Sequence, residues 1–293
     1  MTDIAQDSTG GPAFLWNKLL GAFQLMQPTE TVFLQALPAC LFMRVAAPDG
    51  DIRRVLLLAL SVIAVYGSVG SLNDYCDYAL DAMAKPAKPL VRGLVSRNYA
   101  LRQAWVLGPI GLLLSLALSW QTACFAAIVL LFGVWYDVWA KRSVFSWVPY
   151  AVGIPTLPMW GFAAAGRFER ELLLVYPMGA MLSLGLNVSQ TLPDREDDAA
   201  FGLKGLVHRL DQRSALWLGW GSLAGGIAGF GLAAPLIGNN WKILGPGLAL
   251  GTMLLVAMMT DYALFRSLKR NWYGSAILSI VVGLAWVASL PFA

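Results

Sequence analysis

The chain contains 293 residues, of which 58% are hydrophobic and only 13% are charged. Because soluble domains contain about 25% charged residues, this composition excludes an ordinary soluble protein and indicates an integral membrane protein. The net charge of +4 is then a signal of membrane topology rather than of nucleic-acid binding. The three cysteines are scattered and provide neither a disulfide framework nor the spacing of metal ligands.

Nine apolar segments follow one another, and several exceed the roughly 18 residues that a membrane span needs. We therefore predict an all-α integral membrane protein with nine transmembrane helices. Residues 1–13 are expected to form a disordered cytoplasmic tail, and residues 14–293 a single transmembrane domain, because no polar linker divides them. The segments lie at about 14–45, 55–72, 100–120, 122–136, 145–165, 172–192, 215–237, 243–265 and 273–292.

The first segment is long for a single span. It is interrupted by the sequence Gln27-Pro28-Thr29-Glu30 and again by Pro38. We expect it to be tilted or kinked at its prolines. An ionisable group at the depth of Glu30 is costly, so its side chain should face the interior of the bundle.

An acidic stretch follows the second segment, where a membrane helix should meet water. Carboxylates this close together repel one another unless a cation lies among them. A hard divalent cation with oxygen ligands is the usual partner, and the bases that come next indicate that it holds an anion such as a phosphate. The stretch contains Asn73, Asp74, Asp77 and Asp81, and the bases are Lys85, Lys88 and Arg92.

A second acidic cluster follows the sixth segment in the same way. Asp194 and Asp198 are four residues apart, so on a helix they share a face, and the same spacing recurs in the first cluster. Like charges at this spacing destabilise an isolated helix, so two such clusters favour a bound ligand. The second cluster consists of Asp194, Glu196, Asp197 and Asp198, and the polar residues before it that could line a cavity are Asn187, Ser189, Gln190 and Thr191.

Nine spans would place the two termini on opposite sides of the membrane. Most of the 21 lysine and arginine residues then fall on the side of the N-terminus, in the loops that also hold the acidic clusters. The positive-inside rule therefore predicts that the N-terminus and these loops are cytoplasmic. We expect a multi-pass protein of the bacterial plasma membrane.

The pair of acidic clusters resembles the motifs of the UbiA superfamily of intramembrane aromatic and lipid prenyltransferases. The family motif NDxxDxxxD is matched in full by residues 73–81, and the motif DxxxD is matched by Asp194 and Asp198. The continuation AFGLKGL after the second motif is also similar to the family pattern. The resemblance covers about residues 20–290.

The resemblance implies a nine-helix bundle around a central cavity and a reaction that depends on Mg²⁺. An isoprenyl group would pass from an isoprenyl diphosphate to a lipophilic acceptor through an allylic carbocation, within the lipid bilayer and without nucleic acid. Magnesium and basic side chains would neutralise the leaving diphosphate. The implied metal ligands are Asn73, Asp74, Asp77, Asp81, Asp194 and Asp198.

The resemblance also implies roles for residues outside the metal ligands. The implied diphosphate-binding residues are Lys88, Arg92, Lys141, Arg142 and Lys204. The residues implied in catalysis are Asp77, Asp81, Asp194, Asp198 and Lys141. The candidates for the acceptor side are Glu30, Asn187 and Gln190. The chain departs from the family pattern where it has Lys88-Pro89 for a common Arg-Pro and Gln27-Pro28 for a basic residue before the proline.

Two other functions remain open at this stage. A membrane terpene cyclase of the same superfamily needs the same metal site but no acceptor. A protein that binds or transports a phospholipid or an isoprenyl phosphate needs the site but no turnover. The acceptor of a transferase is also open among an aromatic quinone precursor, a chlorophyllide-like ring, a polyene end and a glycerol phosphate, although the shortage of basic residues in the predicted helices argues against a carboxylate acceptor.

Overall fold

The computed structural model describes residues 12–195 and 204–291 of the chain. In these two ranges every regular element is helical, which confirms the predicted all-α class. The α-helices in chain order are α1 (Pro12–Leu25), α2 (Pro28–Glu30), α3 (Leu37–Ala46), α4 (Ile52–Ala84), α5 (Arg97–Leu118), α6 (Trp120–Val138), α7 (Val148–Ala165), α8 (Val175–Thr191), α9 (Gln212–Ile237), α10 (Trp241–Phe265) and α11 (Leu268–Ala288). A π-helical stretch joins α2 to α3 (Thr31–Ala36), and short 3₁₀ helices lie at Ala140–Arg142, Arg170–Leu174 and Leu206–Arg209.

The first predicted segment is divided into two parts by a break before Pro28. Gln27 has a left-handed backbone, with φ 48° and ψ 60°, and separates α1 from α2. A proline disfavours the right-handed helical conformation in the residue before it, which explains why the break falls at this position. Pro38 lies near the start of α3, directly after the π-helical stretch, and does not interrupt the helix.

Seven helices in the described part of the chain are long and apolar enough to cross a membrane. They are α4, α5, α6, α8 with the 3₁₀ turn before it, α9, α10 and α11. The stretch from α2 to α3 and helix α7 are not among them. Three prolines within its 18 residues reduce the apolar character of α7. The predicted total of nine spans therefore stays a prediction.

Helix α7 nevertheless lies at the centre of the bundle. Its Trp160 and Phe162 side chains are completely buried. The ring of Phe162 lies 6.3 Å from that of Phe42 on α3 and 6.3 Å from that of Trp286 on α11. Gly161 allows α3 to approach closely, since a Cβ atom there would lie 2.7 Å from a backbone oxygen of α3. Helices α3 and α11 thus both pack against α7.

Helix α4 positions the first acidic motif. It spans 33 residues, begins at the side-chain cap Asp51 and runs on through Ala84. The motif therefore occupies the last turns of a continuous helix, rather than a loop beyond its end. The chain that follows folds back, because Leu90 and Val95 pack against Leu25 of α1 in a small separate hydrophobic cluster. This packing brings Lys88 back over the acidic face of α4.

Candidate active site

One face of α4 carries the four polar residues of the first motif. Asn73, Asp77 and Asp81 follow one another at intervals of four residues, and Asp74 lies about two helical turns before Asp81. Asp74 and Asp81 are each only 2% exposed. Burial of a charged carboxylate is costly unless a cation compensates it, so each of these side chains needs a positive partner.

Lys88 supplies that partner for two of the carboxylates. Its Nζ atom lies 2.7 Å from Asp74 Oδ1 and 2.8 Å from Asp81 Oδ2. Burial alone would lower the pKa of Lys88, but its hydrogen bonds to the two carboxylates outweigh burial and raise the pKa above the usual lysine value. The side chain is therefore a cation at neutral pH. Lys85 is more distant, at 3.9 Å from Asp81 Oδ1, and largely exposed.

Lys141 supplies the partner for the third carboxylate. Its Nζ atom lies 2.7 Å from Asp77 Oδ1 and 3.7 Å from Asp137 Oδ1. Asn73 joins the same two acids, because its amide nitrogen donates to Asp137 Oδ1 at 2.8 Å and to Asp77 Oδ2 at 3.2 Å. The amide oxygen of Asn73 is then the atom of this side chain that could bind a metal. Arg142 borders the group at 4.0 Å from Asp77 Oδ1 and is 56% exposed.

A cavity of about 660 Å³ opens beside this face. Gln27 lies at its edge and donates a 3.4 Å hydrogen bond to Asp74 Oδ1. Asn73, Asp74 and Lys88 line one side of the cavity, and the break between α1 and α2 forms another side that carries both apolar and polar side chains. The lining residues are Leu20, Phe23, Gln24, Gln27, Pro28, Thr29, Glu30, Asn73, Asp74, Lys85, Ala87, Lys88 and Pro89.

The structure brings together only some of the predicted site residues. The first motif is joined by Lys88, Lys141 and Arg142, and Glu30 lines the same cavity. Asp198 lies outside the described residues, as do Glu196 and Asp197. Asp77, Asp81, Lys141 and Arg142 do not line the cavity, but their ion pairs join them to the cluster beside it. The other predicted residues that are described and do not line the cavity are Arg92, Asn187, Gln190, Asp194 and Lys204, of which all but the buried Asn187 are exposed.

The donor set of the first motif suits a hard divalent cation. It consists of carboxylate oxygens and one amide oxygen, which are the ligands that Mg²⁺ prefers. Among the described residues, no group of three acidic, histidine or cysteine side chains is arranged around one metal position. The acids of this face are instead paired with Lys88 and Lys141. These carboxylates bind the ammonium groups of Lys88 and Lys141, so the residues of this face fit a cation.

The comparison with known families decides the identity of the fold and its chemistry. The model of the UbiA prenyltransferase family matches residues 35–272, which is most of the chain. The chain belongs to this family. It is therefore a prenyltransferase and a multi-pass integral membrane protein, as the two motifs led us to expect.

Relatives and solved structures agree with this assignment. The UbiA chain is 29% identical over 226 residues to a digeranylgeranylglyceryl phosphate synthase of Methanoregula boonei, covering 75% of this chain and 77% of the relative. A solved structure of digeranylgeranylglyceryl phosphate synthase in membranes has the same fold, with TM-score 0.75, 19% identity and coverage of 93% and 98%. A UbiA homologue of Archaeoglobus fulgidus bound to GPP and Mg²⁺ matches with TM-score 0.69, 16% identity and coverage of 92% and 100%.

Two residues of this UbiA site did not enter the predicted site from the sequence. Asp137 is 1% exposed and accepts a hydrogen bond from Asn73. Its spacing of four residues from Lys141 was the signal in the sequence that could have placed Asp137 in the site. Gln27 was noticed only as a departure from the family pattern. Its contact with Asp74 depends on the left-handed backbone before Pro28, which sequence spacing does not reveal.

A buried polar network fixes the helix that leads to the second UbiA motif. Asn271 of α11 accepts a hydrogen bond from Trp220 Nε1 at 2.9 Å and donates to Ser189 Oγ of α8 at 3.3 Å. Ser275 donates to the same Ser189 oxygen at 2.8 Å. Ser189 was expected to line a cavity, but it instead joins α8 to α11, five residues before Asp194.

Replacement of Asn271 by alanine is expected to destabilise the protein by about 1–3 kcal/mol, because Trp220 Nε1 would lose its acceptor in a buried position. The measurement is the unfolding free energy in mixed micelles. Ser279→Ala is the matched control, since the hydroxyl of Ser279 bonds to a backbone oxygen of its own helix. Equal losses in the two variants would show that the network does not hold α8 in place.

Proposed function

We propose that this prenyltransferase transfers an isoprenyl group from an isoprenyl diphosphate to a lipophilic acceptor in a reaction that depends on Mg²⁺. The observation that supports this most strongly is the acidic face of α4. Lysines compensate its charge, and it borders a cavity whose other wall is partly apolar. A diphosphate with divalent cations complements such a face, and an isoprenoid chain complements such a wall.

The proposed metal ligands are the four residues of the first motif together with Asp194 and Asp198. Bound Mg²⁺ would supply a Lewis acid that stabilises negative charge on the diphosphate. Lys88, Lys141 and Arg142 lie close enough to the first motif to bind the same anion, and we assign Arg92 and Lys204 to its outer oxygens. The positive charge of these lysine and arginine side chains promotes departure of the diphosphate, which takes the electron pair of the broken C–O bond.

The apolar side chains that line the cavity have a chemical role as well as a binding role. Departure of the diphosphate leaves an allylic carbocation that water would quench. Leu20, Phe23 and Pro28 line the cavity opposite the acids, so the reacting carbon would lie against hydrocarbon and an aromatic ring. An aromatic face also stabilises a nearby cation.

We place the acceptor near the break between α1 and α2. Attack by a nucleophilic oxygen or carbon forms the new bond and releases a proton, and Glu30 is the carboxylate on this wall that can accept it. Asn187 and Gln190 are proposed as acceptor contacts from α8. The similarity to a synthase named for a lipid phosphate product supports a lipid acceptor. We further propose that the motifs face the cytoplasm.

The function is tested with the purified protein in lipid nanodiscs, supplied with isoprenyl diphosphates of several lengths and with lipid extracts as acceptors. Diphosphate release should require Mg²⁺ and should be matched by a prenylated acceptor in the mass spectrum. A cyclic hydrocarbon or alcohol formed without acceptor would instead support a terpene cyclase. Tight donor binding without turnover, for any acceptor, would support a binding or transport protein.

A further inference from the structure

The bridge that Lys88 makes between Asp74 and Asp81 has a consequence for metal binding. The two carboxylates are almost fully buried, and each has an oxygen within 2.8 Å of the same ammonium group. In the absence of metal, the lysine is thus the counter-ion that makes this buried pair tolerable. The same two carboxylates are proposed here as ligands of the divalent cation.

The backbone of Lys88 is held in place, whereas its side chain has room to move. Its N–H donates to the oxygen of Lys85 at 3.1 Å, and its own oxygen accepts from the N–H of Arg92 at 3.0 Å. Leu90 anchors the following turn in a hydrophobic cluster. The side chain is flexible, is 21% exposed and borders the cavity. The ammonium group can therefore change partners without movement of the loop.

Lys141 is placed differently. Its side chain is only 7% exposed, and it is not part of the cavity lining. It ties the end of α6 to Asp77 of α4 and has little space for a second position. Lys88 is thus the bridging ammonium that also faces the space where a diphosphate would bind.

A metal and Lys88 compete for the same oxygens. A divalent cation at Asp74 and Asp81 would lie within a few ångströms of the ammonium group, and like charges at about 4 Å repel strongly in a partly buried site. Without an anion in the cavity, the partners left to the displaced ammonium are water and the exposed carboxylate of Glu30, which lines the same cavity. A diphosphate provides a comparable partner, because charge-assisted hydrogen bonds to phosphate oxygens replace those to the carboxylates.

We propose that Lys88 is a two-position lysine, which bridges Asp74 and Asp81 in the metal-free protein and transfers to the diphosphate when metal and donor bind together. The inference rests on the proposed function of this site. It makes the binding of metal and of donor cooperative, and the coupling is reciprocal. Lys88 thereby prevents tight binding of metal without substrate.

The first test measures the binding of Mn²⁺ alone to the full chain in detergent by EPR. Lys88→Met should bind Mn²⁺ about tenfold more tightly than the wild type, because the competing cation is gone. Lys85→Met is the matched control, since it removes a lysine of the same loop that lies 3.9 Å from Asp81. Its Mn²⁺ affinity should change by less than about threefold. Equal tightening in both variants, or weaker binding in Lys88→Met, would overturn the proposal.

The second test measures the binding of geranyl S-thiolodiphosphate in excess Mg²⁺ by calorimetry. Lys88→Met should bind this slowly cleaved donor analogue about tenfold more weakly than the wild type, because the lysine no longer reaches the diphosphate. Unchanged affinity would show that Lys88 does not transfer, and would overturn the inference alone. If the wild type itself bound no analogue, the proposed function would fail as well.

A measurement on the wild type covers the case in which Lys88→Met does not fold. Thermal unfolding is followed with Mg²⁺ alone, with the analogue alone and with both. The two together should raise the melting temperature by clearly more than the sum of the separate shifts, since each ligand favours binding of the other. Additive shifts would overturn the proposal.

Discussion

Replacement of Asp81 by asparagine lowers the rate of diphosphate release about a thousandfold, if the acidic face of α4 stabilises the leaving diphosphate as proposed. The substitution keeps the size of the side chain but removes the negative charge that holds Lys88 and would hold the metal. The measurement is Mg²⁺-dependent release of diphosphate from an isoprenyl diphosphate. The melting temperature is followed in parallel to establish that the variant is folded.

The control for this variant is Asp261→Asn. Asp261, near the end of α10, pairs with Arg270, near the start of α11. This variant therefore tests the loss of a carboxylate from an ion pair outside the cavity. Exposed ion pairs contribute little to stability, and the rate should stay within about threefold of the wild type. If Asp81→Asn retained more than about a tenth of the wild-type rate, the acidic face would not have the role assigned to it.

Replacement of Lys141 by methionine destabilises the fold by about 3 kcal/mol, because it leaves Asp77 and Asp137 without their buried cation. The two acids lie on different helices, so Lys141 also joins α4 to the end of α6. The measurement is the unfolding free energy in mixed micelles, taken without metal so that no added cation can replace the ammonium group.

Arg142→Met provides the neighbouring control. Its guanidinium group is half exposed and 4.0 Å from Asp77, so its loss should cost less than about 1 kcal/mol. Adding Asp77→Asn to Lys141→Met should recover part of the lost stability, since one unpaired charge is removed. Similar losses in the Lys141 and Arg142 variants, or no recovery in the double variant, would contradict this role of the buried lysine.

The acidic face of α4 could be predicted because it depends on local geometry. Residues four apart in a helix share a face whatever surrounds the helix, so Asn73, Asp77 and Asp81 were placed together from spacing alone. The same argument indicated a metal and an anion. The position of Lys88 soon after the acidic stretch also indicated that it belongs to this site, whereas Lys141 was implied by the family resemblance.

The partners of these lysines depend on tertiary structure and could not be read from spacing. Lys88 returns to Asp74 and Asp81 only because Leu90 and Leu25 pack together and fold the loop back. Asp137 reaches Asn73 across 64 positions of sequence. The break at Gln27 was expected as a kink, but the left-handed residue that directs its side chain to Asp74 was not. These are contacts between elements, which packing decides.

The second motif remains a prediction in part. Asp194 is described and exposed, whereas Asp198 is not among the described residues, so its relation to the α4 face stays a proposal. The helix before it is well determined by the contacts of Ser189 with Asn271 and Ser275. Asp194 therefore lies three residues after the end of α8, whose position the contacts of Ser189 determine.

The most direct test of the proposed site is pulsed EPR on the wild type with Mn²⁺ in place of Mg²⁺ and geranyl S-thiolodiphosphate bound. A metal that holds the diphosphate at the acidic face of α4 must show hyperfine coupling to the phosphorus nuclei. We predict this coupling in the wild type and its loss in the double variant Asp74→Asn, Asp81→Asn. No coupling in the wild type, or the same coupling in the double variant, would contradict the account.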